Sequence, residues 1–179
     1  MGLDEHPGDG TVNDFLDRLA ARSATPAGGS VAALCTAQAA ALVAMVARYV
    51  DAPPLVTRAE ELVARAQQLA VDDERAFADV AAGWTIPRDD PHRRTAIDDA
   101  LLAAAEPPAR VVETAVEVLV LIDQLRPSGR PGLLADLVAA GEVARAGAAI
   151  ARMNVESNLR TLPDSEERSG MLRRMGVSP

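Results

Sequence analysis

Residues 23–50 read SATPAGGSVAALCTAQAAALVAMVARYV, and how this stretch folds decides the rest. From Val31 to Ala47 it is almost wholly apolar and rich in alanine, with Gln38 near the middle. Alanine is the strongest helix former, and its methyl group lets neighbouring helices approach closely. The run is shorter than the roughly 20 residues that a membrane-crossing helix needs. A central helix buried on all sides suits it better than a membrane span. Pro26, Gly28 and Gly29 break regular structure over residues 23–29. A helix is therefore predicted from about Ser30 to Val50.

Upstream, Thr11 followed by Asp14 has the form of a capping box, opening a first helix to about Arg22 with Val12, Phe15, Leu16 and Leu19 on one face. Downstream, Asp51 to Pro54 punctuates the chain, and a long third helix runs from about Pro54 to Ala82. Gly83 to Arg88 reads as a connector. Asp90 before Pro91 signals the start of a fourth helix, to about Ala105. Pro107 and Pro108 end that helix and open a fifth, through about Leu125. Residues 126–132, with two prolines and two glycines, form a loop before a sixth helix from about Leu133 to Leu162. The tail after Pro163 either frays or forms a short helix. With no repeat and no linker, the chain reads as a single all-α domain, residues 1–179, in which residues 1–10 and 163–179 are peripheral tails.

Composition supports the helical reading and narrows the function. Hydrophobic residues make up 49 % of the 179, aromatic ones only 2 %, and runs of alternating β-branched and aromatic residues are absent. The net charge is -8, and every cationic side chain is arginine. An acidic chain without a basic stripe repels phosphate backbones, so nucleic acid is not expected as a partner. Without lysine there is no amine for Schiff-base catalysis. A lone Cys35 excludes an internal disulfide, and two distant histidines, His6 and His92, give no support to a metal site. The polar, acidic stretch Met1 to Gly10 has no signal-peptide pattern, which points to a cytoplasmic protein.

Two polar residues interrupt apolar faces. On the third helix, Leu62, Ala66, Leu69, Ala76, Phe77 and Val80 share one stripe, and Asp73 falls on it. Its neighbour Asp72 falls with Arg65, Gln68, Arg75 and Asp79 on a solvated face. Asp73 either sits at the stripe's edge and reaches water, or is desolvated, with a raised pKa suited to acid/base work near neutrality. On the sixth helix, Glu142, Arg145, Arg152 and Glu156 line up as a charged stripe. Asn154 points to the opposite side among Ala, Gly and Val, with Asp136 and Asn158 on the flanks. These three either satisfy one another or face a ligand, and Asp136 also suits a carboxylate at a helix start. Gly141 and Gly147 mark close helix contacts. Cys35 reads as a core residue. In the loop, Gly28 and Gly29 permit close backbone approach, and the N–H groups at the helix start can hold an oxygen; the plain alternative is Ser30 as N-cap.

Four segments together resemble one known family. They are FLDRLAARSATPAGGSVAALCTAQAAALVAMVARYV, LAVDDERAFADV, IPRDDPHRRTAIDDALLAAAEPPARVVETAVEVLVL and ADLVAAGEVARAGAAIARMNVESNL. They are similar to the cyclodeaminase/cyclohydrolase family, which also forms the C-terminal domain of formiminotransferase-cyclodeaminase. The resemblance spans residues 11 to about 162.

It implies an all-α homodimer acting on a tetrahydrofolate-type small molecule, with no cofactor, no metal and no membrane. One family reaction closes 5-formiminotetrahydrofolate to the 5,10-methenyl form with release of ammonia. The other interconverts 5,10-methenyl- and 10-formyltetrahydrofolate. By the same resemblance Asp73 is the general acid/base, Pro26, Gly28, Gly29 and Ser30 line the folate site, and Asp136 and Asn158 are polar positions of the last long helix. The alternative is a relative that binds folate without catalysis, or a helical interaction module. The chain departs from the family pattern at Ala27, at Arg130-Pro131-Gly132 and at Ala135-Asp136. It also lacks a basic segment between Tyr49 and Pro54, leaving Arg48 as the nearby cation for an anionic folate tail.

Overall fold

Alanine content makes α2 (Gly28–Tyr49) the axis of a bundle in the computed structural model, which describes residues 10–128 and 131–175. The other helices are α1 (Val12–Ala20), α3 (Pro53–Thr85), α4 (Arg93–Ala104), α5 (Glu106–Leu125), α6 (Pro131–Leu159) and α7 (Glu166–Arg174). A 3-10 turn, Arg126–Ser128, follows α5. Among the described residues there is no strand.

α2 packs most extensively on α3 and α6, and less on α5. Its Ala32, Ala33, Ala39, Ala40, Val43, Val46 and Ala47 are fully buried, around more than one face. With small side chains at these positions, helix axes can approach closely and bury apolar area at about 25 cal/mol per Å2. The expectation of burial on all sides is corrected in one respect. Val31, Leu34, Cys35, Leu42 and Met45 are only partly buried, and Gln38 and Tyr49 are exposed. The length argument against a membrane span also fails, since the helix has 22 residues and is long and apolar enough to cross a bilayer. Most of it is covered by its own bundle instead.

Helix boundaries move for identifiable reasons. α1 has the full capping box, with the Asp14 N–H donating to the Thr11 hydroxyl and the Thr11 N–H donating to Asp14. It ends at Ala20, short of Arg22, because Ala21 is extended. α2 begins at Gly28, two residues early, so its N-cap is Ala27 and not Ser30. α3 continues through the expected connector to Thr85, and Gly83 lies buried where a Cβ would meet Ile97 of α4. Asp90 accepts from the His92 N–H in a turn that precedes α4, so that helix starts only at Arg93. α6 ends at Leu159, where the Leu159 carbonyl accepts from Arg168 and from the Leu162 N–H.

The segment after Pro163 is not a loose tail. Its Ser165 caps α7, and Met171, Leu172 and Met175 are buried against Val111, Val112 and Leu159. Gly147 is a close helix contact as expected, since a Cβ there would stand 2.7 Å from the Thr36 hydroxyl and 2.9 Å from the Ala32 carbonyl. Gly141 is not: the only neighbour of a Cβ there would be the flexible end of Arg145.

Candidate active site

The first turn of α2 is the point where three helices meet. Pro26 is buried just ahead of it. Ala27 precedes the helix in extended backbone and offers no side-chain cap. The N–H groups of that turn therefore get no acceptor from the N-cap residue itself, and one must come from elsewhere in the fold. Ala27 has φ -142, which any residue adopts, so the missing loop glycine costs the backbone nothing here.

Gly29 explains why α3 comes so close. A Cβ at this position would overlap the carboxylate of Asp73, so only glycine lets that carboxylate seat on the helix turn. The Ser30 N–H donates to it. Burial pushes the Asp73 pKa up from 3.8 to about 6; the neighbouring Glu74 charge adds to the rise and the Ser30 N–H opposes it. Of the two environments left open by the sequence, the carboxyl lies between them: the residue is half-buried, and that burial is enough to raise its pKa. Asp72 faces outward and accepts from Gln68, 3.0 Å away.

Two residues that sequence reasoning missed complete the acidic side. Glu74 accepts from the fully buried Ser30 hydroxyl at 3.4 Å and from Arg18 of α1 at 3.0 Å. The Arg18 guanidinium thus pairs with Glu74 and offsets part of its charge beside Asp73. Neither partner was visible from periodicity, because Arg18 and Glu74 are joined only through the fold.

On the opposite flank, Gly28 faces α6. A Cβ at Gly28 would stand 3.6 Å from both amide atoms of Asn154, and the Asn154 Nδ2 is buried with no hydrogen-bond partner. Asn158 is committed elsewhere: its amide donates to the Ala104 carbonyl at 2.9 Å and closes the end of α4. Asp136 is not brought to this turn. At about 1.5 Å of rise per residue it lies roughly 27 Å from Asn154 along α6, near the start of that helix. Gly132 and Ala135 are exposed near the same distant end of α6, and Arg130 lies outside the described residues. Arg48 is paired with Glu60.

The geometry brings together a glycine turn and a carboxyl of raised pKa, which can hold an oxygen or nitrogen heterocycle and move a proton. Residues 11–176 match the family model described as formiminotransferase-cyclodeaminase. The chain belongs to this family. It is 30 % identical to the methenyltetrahydrofolate cyclohydrolase of Methylorubrum extorquens, over 95 % of this chain and 92 % of that protein. It is also 30 % identical to the formimidoyltransferase-cyclodeaminase of Rattus norvegicus, covering 87 % of this chain but only 32 % of that longer protein. The solved formiminotetrahydrofolate cyclodeaminase of Thermotoga maritima superposes with a TM-score of 0.85 at 25 % identity, over 93 % of this chain and 86 % of that one. The family's all-α fold is thus the fold found here.

Proposed function

We propose that this chain is a folate one-carbon enzyme, a methenyltetrahydrofolate cyclohydrolase or formiminotetrahydrofolate cyclodeaminase, with Asp73 as its general acid/base. The observation that carries this reading is the Asp73 carboxyl, seated on Gly29 and holding its proton to about pH 6. A group with that pKa exists in both forms near neutrality, as a proton shuttle requires.

In the hydration direction, Asp73 takes a proton from water as its oxygen bonds to the methenyl carbon. It then gives that proton to N5 as the C–N5 bond breaks, while the hydroxyl loses its remaining proton to solvent as its oxygen becomes the carbonyl of the 10-formyl product. In the cyclising direction, N10 bonds to the formimino carbon and loses its proton, and the amino group is protonated and leaves as ammonia. Each cycle is proton movement at nitrogen and oxygen around one carbon, which asks nothing of a metal or an organic cofactor. The changes at Gly132 and Ala135 lie far from the Asp73 turn along α6, so within one chain they do not disturb it.

The partly exposed stripe Val31, Leu34, Leu42 and Met45 on α2, with Val12 and Leu16 exposed on α1, supports a homodimer through this face. Light scattering on the purified protein tests that part. For the activity, the absorbance of 5,10-methenyltetrahydrofolate is followed with and without enzyme. Turnover supports the reading. Folate binding without turnover would make the chain a non-catalytic relative, and no binding would leave an interaction module.

A further inference from the structure

Asn154 is the one buried side-chain polar group among the described residues with an atom that finds no partner. Folded proteins rarely leave such a donor empty, and each one that they do leave calls for an explanation, a functional role among them. Its surroundings say which ligand. Gly28 faces the Asn154 amide and Gly29 faces the Asp73 carboxylate. Consecutive Cα atoms are about 3.8 Å apart, so the two side chains flank one turn within reach of a single small molecule. Ile150, one turn before Asn154, also approaches Gly28 and gives that flank an apolar wall.

We propose that Asn154 is a specificity-determining residue that donates from Nδ2 to an acceptor on the pterin ring of the folate. The inference rests on the function proposed above. Asp73 must face the one-carbon bridge to move its protons. The group beside the bridge on one side is the pterin, whose ring carbonyl and ring nitrogens accept hydrogen bonds. On the other side is a phenyl ring, which offers no acceptor of that kind. A buried amide N–H next to the acid therefore matches the pterin side. Because the contact is to a part of the ligand that does not react, it acts on ground state and transition state alike and appears in KM rather than kcat.

The test uses Asn154→Leu, which keeps the branched heavy-atom outline and removes the amide. Binding of 5-formyltetrahydrofolate is read by calorimetry, turnover by methenyltetrahydrofolate absorbance, and folding by thermal melting. The expected result is a rise of tenfold or more in both Kd and KM, kcat within threefold of wild type, and a melting temperature no lower than wild type, since no hydrogen bond within the chain is lost. Unchanged affinity overturns the inference, and so does a collapse of kcat at unchanged KM.

Should Asn154→Leu fail to fold, Asn154→Asp carries the test. Relative to wild type it binds weakly near pH 8, and the gap closes toward about pH 4, the ordinary aspartate pKa, where a protonated carboxyl can donate again. Wild-type affinity near pH 8 overturns the inference. Failure of the wild-type protein to bind or turn over any folate removes the proposed function and this inference with it. Wild-type turnover with an unaffected Asn154→Leu removes this inference alone.

Discussion

Replacing Asp73 by asparagine should make the protein more stable and inactive, and the size of the stability gain follows from the burial of the carboxyl. Its pKa rises from 3.8 to about 6 on folding, chiefly through burial. A carboxyl that binds its proton more tightly when folded contributes full stability below its unfolded pKa. That contribution is lost as pH rises through the folded pKa, so the window of loss lies between about pH 4 and pH 6. At about 1.36 kcal/mol per unit, the ionised group costs the fold roughly 3 kcal/mol near pH 8, and roughly 0.5 kcal/mol near pH 4. Asparagine keeps an oxygen for the Ser30 N–H and carries no charge to bury. Urea unfolding of Asp73→Asn and wild type should therefore show the variant more stable by roughly 2–3 kcal/mol near pH 8, with the gap narrowing toward zero near pH 4. In thermal melting the gain near pH 8 corresponds to roughly 5–10 °C. Equal stability of the two proteins near pH 8, or a gap independent of pH, would refute the burial argument.

Other outcomes follow from the same contacts. Gly29→Ala places a methyl group inside the Asp73 carboxylate, so it should cost roughly 2 kcal/mol or more in urea unfolding and abolish turnover. Gly147→Ala pushes α6 off Thr36 and the Ala32 carbonyl and should lower stability by roughly 1–3 kcal/mol, whereas Gly141→Ala should be neutral or gain up to about 1 kcal/mol from helix propensity. Asn158→Ala should lose roughly 1 kcal/mol of stability through the Ala104 carbonyl, with kcat unchanged, because its amide is structural.

Much of this was legible in the sequence, and the remainder was hidden for physical reasons. The alanine run fixed a central helix because helix approach depends on side-chain size, which is a local property. The Thr11–Asp14 box and the Asp73 position on an apolar stripe were legible from spacing alone. The start of α2 was misplaced because Gly28 and Gly29 were read as helix breakers. Gly29 sits in the helix because the Asp73 carboxylate needs the room, and no local rule reports a residue on another helix. Glu74 was invisible for the same reason, since its role comes from Arg18 and Ser30. Asp136 shared a face pattern with useful residues, but periodicity assigns a side and not a height along a long helix, and α6 holds it at the far end. The burial of Met171 and Leu172 escaped because a charged nine-residue helix shows too little apolar pattern to announce its docking.

The most direct measurement is the pH dependence of methenyltetrahydrofolate hydration by wild type and by Asp73→Asn. The account gives a wild-type kcat/KM that rises with pH through about 6, as Asp73 ionises and becomes able to take the proton of water. It gives an asparagine variant slower by roughly 100-fold or more, with no inflection there. A variant that keeps the wild-type rate and the wild-type inflection would show that the proton moves through some other group.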